Sequence, residues 1–219
     1  MLAGVPGGVA VGQMRGIGNT VGYFLPGNLG GFHGQVQYSF GENASNSTTR
    51  AGDYVGARLG YANGPISVAI ASGKFDTNPT AAPAVPTKGV LRAHNIGGSY
   101  DFGWVKPMFV WAQERATAGG ATVIQNAWVL GATAPVGVGE FRIAYSRYDR
   151  KNSSSDFSKF AIGYGHNLSK RTQLYTTYAR TMNKGASKVA VSTNGLSAVG
   201  ITTAGTGASG YGVGIRHFF

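Results

Sequence analysis

Phe32-His33-Gly34-Gln35-Val36-Gln37-Tyr38-Ser39-Phe40 and Tyr211-Gly212-Val213-Gly214-Ile215-Arg216-His217-Phe218-Phe219 decide the fold. In both, large apolar side chains hold most alternate positions, and small or polar ones fill the gaps. Successive side chains of an extended strand point to opposite faces, so period two means a sheet with one apolar and one wetter face. The pattern recurs at Val55, Ala57, Leu59 and Tyr61, at Ile66, Val68 and Ile70, and at Ile96, Gly98, Tyr100 and Phe102. It returns at Phe141, Ile143 and Tyr145, and at Phe160, Ile162 and Tyr164. With weaker segments, the alternation predicts eleven strands near 17–25, 30–40, 53–62, 65–74, 90–102, 104–115, 122–134, 139–149, 157–167, 172–182 and 207–219. The faces of 104–115 and 172–182 stay unassigned. Long helices are excluded, because glycine or strand-type alternation interrupts every window of a dozen residues.

Most of these segments are about ten residues long, the length that crosses a bilayer at a tilt of about 45°. Short links (25–29, 63–64, around 103, 135–138, 168–171) alternate with longer polar ones (41–52, 75–89, 116–121, 150–156, 183–206). Outer-membrane barrels have short periplasmic turns and longer extracellular loops, whereas a soluble sandwich has no reason to gather its long loops at one end. By that rule the last strand descends to the periplasm. Aromatic residues near strand ends, such as Phe102 with Trp104 and Tyr145 with Tyr148, fit interfacial girdles. The fold expected is therefore all-β: an antiparallel up-and-down transmembrane β-barrel with about eleven strands present.

The wetter face supports this. Gly34, Gly56, Gly60, Gly97, Gly163, Gly212 and Gly214 are assigned to it, among Gln, Ser, Asn, Arg and Lys. A soluble barrel would fill its interior with large apolar groups instead. A basic residue facing lipid costs roughly 2–4 kcal/mol at mid-membrane and about 0–1 near an interface. The parity of Arg58, Arg142, Lys159 and Arg216 points all four to the wet side, while Arg92 has apolar-side parity at a strand start, where snorkelling suffices. Asp101 is the one acid assigned to the wet side, beside a turn. A positive lumen follows, and rings of Arg or Lys favour anions.

Composition narrows the field further. Glycine makes up 36 of 219 residues, about twice the usual share of about 7 %. Only 12 % of residues are charged, with a net charge of +11, and the aromatic content argues against disorder. The cations are scattered singly, which argues against a nucleic-acid partner. The opening MLAGVPGGVAVGQM lacks a basic n-region and is broken by Pro6-Gly7-Gly8, so it is not read as a signal peptide. His33, His94, His166 and His217 show neither metal-ligand spacing nor a Ser/Asp constellation, so no metal, cofactor or catalysis is expected. The sequons at Asn43-Ala44-Ser45 and Asn46-Ser47-Thr48 are read as chance matches.

GIGNTVGYFLPGNLGGF, SYDFG, GEFRIAYSRYD, FAIGYGHNLSKRTQLYTTYAR and YGVGIRHFF resemble the general porins of beta-proteobacteria over nearly the whole chain. The resemblance implies a sixteen-stranded homotrimeric outer-membrane barrel that passes small hydrophilic solutes and ions by passive diffusion. The eleven strands would then match strands six to sixteen. Single-chain bacterial barrels have even strand counts, so an N-terminally truncated chain is expected, lacking roughly 100 residues and a signal peptide. Residues 1–15 would be a remnant of the inward-folded constriction loop, with Arg15 a pore candidate, and 16–219 the barrel. Tyr211, Val213, Ile215, His217 and Phe219 are similar to the signal read by the outer-membrane assembly machinery. The implied partners are outer-membrane lipid and lipopolysaccharide, that machinery, and small anions as permeants. Two alternatives remain open: a surface-binding or adhesin-type barrel acting through the 183–206 loop, and a non-conducting remnant.

Overall fold

A computed structural model describes residues 18–41, 52–77, 89–191 and 203–219. Arg15, the 1–15 segment and both sequons lie outside the described residues. Eleven strands form among those described: β1 (Thr20–Phe24), β2 (Phe32–Ser39), β3 (Tyr54–Asn63), β4 (Ile66–Thr77), β5 (Gly89–Tyr100), β6 (Lys106–Ala118), β7 (Ala121–Val136), β8 (Gly139–Arg150), β9 (Phe157–Asn167), β10 (Thr172–Asn183) and β11 (Ala208–His217). They are hydrogen-bonded in chain order, with antiparallel register. The expected all-β, up-and-down architecture is the one observed.

Two links depart from expectation. The segment 116–121 is not a longer loop, because β6 and β7 run on to a two-residue turn at Gly119-Gly120. Both glycines have positive φ, 56° and 79°, the conformation that a tight hairpin with matching strand twist demands. Thr117 and Thr122 share a hydroxyl hydrogen bond of 3.1 Å across the strands, which extends the pairing to the tip. Of the other links, 64–65, 101–105, 137–138 and 168–171 are short and 40–53, 78–88 and 184–207 long, whereas 25–31 spans seven residues against six for 151–156 and departs from the alternation.

The chain divides into two compact units, one of residues 1–97 and 112–126, the other of 98–111 and 127–219. In the first, register places Val36, Ala57 and Ser72 on one face, and Gln35, Arg58 and Ala71 on the other. Gly34 pairs with Leu59, so it belongs to the apolar face and not the wet one. Leu25 packs into the space its missing Cβ leaves. In the second unit, Phe141, Tyr164 and Thr176 share the apolar face, and Arg142, Gly163, Thr177 and Gly212 the wet one. This register also settles β10: Leu174, Thr176, Tyr178, Arg180 and Met182 lie on the apolar face, and Gln173, Tyr175, Thr177, Ala179 and Thr181 on the wet face.

A dry core is nearly absent among the described residues. The buried hydrophobics are Leu91, Ala116, Ala127 and Phe157. By contrast Tyr211 is 84 % exposed, Val213 78 % and Val21 67 %. A water-soluble sheet would cover these side chains, since each large apolar group left in water forgoes about 1.5–3 kcal/mol of burial. Hydrocarbon is the medium in which such a face is stable, because backbone groups paired between neighbouring strands leave the side chains to meet lipid.

Candidate functional site: the polar face of the sheet

In the first unit Arg58 stands on β3 opposite Gln35 of β2 and Ala71 of β4. With Gln35, Gln37, Tyr54 and Asn95 it lines a small cavity of about 190 Å3. Tyr54 lies over Gly56 and Gly73, where any added Cβ would strike its ring. Glycine here leaves room for a neighbouring aromatic to lie flat on the sheet, so the wet face is not bare backbone.

The second unit holds the other three cations. On β10, the rungs of the ladder are marked by Gln173, Thr177 and Thr181. Arg216 is opposite Gln173, Arg142 is on the Thr177 rung through Gly163, and Lys159 is opposite Thr181. Successive levels are four residues apart, about 14 Å along the strands. These cations therefore form a staggered series and not a ring. Arg142 and Arg216 line one cavity of about 750 Å3 with Tyr175, Thr177 and Gly163.

The four sequence-derived cations are not equally free. Arg58 and Arg216 are exposed and make no side-chain hydrogen bond or ion pair with another described residue. Arg142 is paired: its Nε donates to Glu140 Oε1. Lys159 is sheltered, its Nζ lying 5.6 Å from the centre of the Phe157 ring, and Phe157 stacks on Tyr148 at 4.3 Å. Glu140 is the acid that sequence reasoning missed. It shares the parity of Arg142, two positions away, and that spacing was the available signal. Asp101 is not on the wall, because β5 ends at Tyr100 and the Asp101 carboxylate accepts the Gly103 backbone N–H at 2.8 Å.

At the long-loop end, Asn183 holds the segment after β10 against the sheet. Its Nδ2 donates to the Val189 carbonyl at 3.0 Å and the Thr206 carbonyl at 2.7 Å. Its Oδ1 accepts from Ser187 Oγ at 2.8 Å and Val189 N–H at 3.0 Å. Val191 packs over Gly210, which lies on the wet face opposite Ala179. The segment thus folds onto the wet side, the face on which Thr181 is fully buried.

A sheet with an uncovered apolar face and a glycine-rich face carrying isolated cations has counterparts among known proteins. Residues 2–186 match the family model of the Gram-negative porins. This chain belongs to the Gram-negative porin family. The outer membrane porin protein 32 of Delftia acidovorans is 36 % identical over 92 % of the chain and 56 % of its own length. An outer membrane porin of Bordetella pertussis is 28 % identical over 92 % of the chain and 57 % of its own length. The chain thus spans a little over half the length of these curated relatives. Among solved structures, the anion-selective porin from Comamonas acidovorans superposes with a TM-score of 0.81 at 34 % identity, over 91 % of this chain and 59 % of that one. OmpT of Vibrio cholerae, at 13 % identity and a TM-score of 0.68 over 91 % and 64 %, shares the fold alone.

Membership in the porin family places this chain in the outer membrane and makes the fold a transmembrane β-barrel type. His33, His94 and His217 make contacts with neighbouring strands. His94 Nδ1 is 2.9 Å from Ser72 Oγ, and His217 Nδ1 is 2.9 Å from Thr172 Oγ1. His33 lies over Gly60. Among the described residues no group of three or more His, Asp or Glu is arranged to hold a metal.

Proposed function

We propose that the chain supplies the wall of a passive diffusion channel for small hydrophilic solutes and ions, with a preference for anions. The observation that carries this reading is the staggered series Arg216, Arg142 and Lys159 at successive levels of one wet face. Arg58 occupies the same kind of face in the first unit. A permeating anion passes a basic residue at each level, fully offered at Arg216 and partly offset by Glu140 at Arg142, and the stagger keeps any one site from holding it tightly. Conduction needs this balance, since a strong single site would trap the ion. The printed description of the Comamonas relative as anion-selective agrees with the sign. Arg15 belongs to the same proposal as a pore residue. Selectivity comes from lumen width and charge, without a cofactor or an enzymatic step.

Assembly as a homotrimer, delivery by the outer-membrane assembly machinery, and contact with lipopolysaccharide form the rest of this reading. Tyr211, Val213, Ile215, His217 and Phe219 are the residues proposed to be read by the machinery, since they present one apolar row along β11 and just beyond it. Planar-bilayer conductance in a salt gradient tests the channel. An anion-selective reversal potential is the expected result. The cation-selective sign would overturn the charge argument, and silence from a folded, inserted chain would favour a non-conducting remnant.

A further inference from the structure

The apolar face of the second unit carries two strand arginines, and both sit at its long-loop end. Arg180 of β10 is opposite Phe160 on β9 and Ser209 on β11. Arg147 of β8 is opposite Ser158 on β9. Both are exposed. Arg147 donates its Nε to Asp149 at 2.8 Å. The Arg180 guanidinium has no hydrogen bond or ion pair with any described residue. On the same face Tyr145 and Phe160 stand level with Arg180, Tyr178 and Tyr211 lie one row below, and the Tyr178 hydroxyl donates to Ser209 Oγ at 3.2 Å. At the opposite end of this face, the β8, β9 and β10 positions are Phe141, Tyr164, His166 and Leu174, with no Lys or Arg among them. An unpaired guanidinium on a lipid-facing row is placed where an anion can reach it, and that end of a porin faces the outer leaflet.

We propose that Arg147 and Arg180 form a docking site for the phosphates of an outer-leaflet glycolipid. The two side chains arise about 12 Å apart, two strand spacings across and two residues along, a span covered by a head group that carries two phosphates. Guanidinium groups bind phosphate oxygens through paired N–H donors. Ser158 and Ser209 add hydroxyls beside the two arginines, and the aromatic row beneath accepts the roots of the acyl chains. The proposal rests on the reading of this face as the one that meets lipid.

The full chain, refolded in detergent, is titrated with bisphosphorylated lipid A, with the dephosphorylated lipid, and with inorganic phosphate, and bound ligand is read by native mass spectrometry. The parent should prefer the bisphosphorylated lipid, and R147Q/R180Q should lose about tenfold in its affinity, as expected for charge-assisted hydrogen bonds. R180K, which keeps the charge, should lose less than R180Q. K151Q, which removes a cation from the neighbouring turn, should bind as the parent does. Equal binding of the dephosphorylated lipid would overturn the phosphate site, as would undiminished binding by the double variant. Free phosphate binding as tightly as the lipid would assign the site to a soluble anion and overturn the lipid. Protease-protected insertion into phosphatidylcholine vesicles separates the two readings. A chain that fails to insert loses the lipid-facing reading itself. One that inserts but does not discriminate between lipids loses only the docking site.

Discussion

Glu140 and Arg142, two residues apart on β8, close an ion pair on the wet face of the sheet. The carboxylate cancels much of the charge that the Arg142 position would otherwise offer to a passing ion. A unit charge about 10 Å from an ion in water is worth about 0.4 kcal/mol, close to a twofold change in partition. The anion gains what the cation loses, so E140Q should raise the anion-to-cation permeability ratio about fourfold, and R142Q should lower it by a similar factor. Reversal potentials in a salt gradient measure both. Because the pair is exposed, the effect should shrink as ionic strength rises. Equal potentials for the two variants would mean that this rung lies off the permeation path.

Glycines on the two faces should respond to substitution in different ways. A Cβ at Gly139 would run into the backbone carbonyl of Gly165, which cannot rotate aside, whereas one at Gly212 meets nothing within 4 Å. G139A should cost about 1–3 kcal/mol, as overpacking does. G212A should be neutral or stabilising by about 0.4–1 kcal/mol, through reduced freedom of the unfolded chain. G214A should fall between them, since the obstacle is the movable ring of Tyr175. Urea unfolding of the detergent-folded chain ranks the three. A G139A chain as stable as the parent would refute the ordering.

Period-two alternation exposed most of this fold in the sequence because a sheet with two unlike solvents writes its faces directly into residue order. Segment 157–167 is read identically from sequence and structure. Segment 172–182 resisted because Thr and Tyr occupy both of its faces, and only hydrogen-bond register assigns them. Segment 104–115 resisted because Met108-Phe109-Val110-Trp111 sets large apolar side chains at consecutive positions, one on each face in turn. Gly34 was misplaced for a related reason. A glycine has no side chain to declare its face, and only its pairing with Leu59 does so. The cation series was legible by parity. Its stagger was not, since levels along a wall depend on how neighbouring strands are offset. The two-residue turn at Gly119-Gly120 was hidden by the Ala and Thr residues around it, which read equally well as loop.

Asn183 should govern the loop at the mouth. Four hydrogen bonds converge on its amide, and N183A removes all of them while leaving the buried Ser187 hydroxyl without that partner. Each such orphaned group costs about 1–3 kcal/mol. The loop should detach locally while the strands, held by their own ladders, stay folded. Trypsin should then cut after Lys184 or Lys188 at least about tenfold faster than in the parent, in line with that loss. An unchanged cleavage rate would mean that the loop is held by other contacts.

Phe219 tests whether the last apolar row serves assembly or the fold. Its ring stands edge-on to His217 at 4.9 Å and is otherwise wholly exposed, while β11 itself ends at His217. A side chain with so little packing contributes little to the folded state, so F219A should refold in detergent with the yield and stability of the parent, within about 0.5 kcal/mol. If the row Tyr211, Val213, Ile215, His217 and Phe219 is recognised during delivery, the same variant should fall well below the parent in the outer-membrane fraction of cells producing it. The comparison between detergent and cell carries the inference. A parallel drop in both would move the role of Phe219 into the fold, and no drop in either would remove it from the assembly signal.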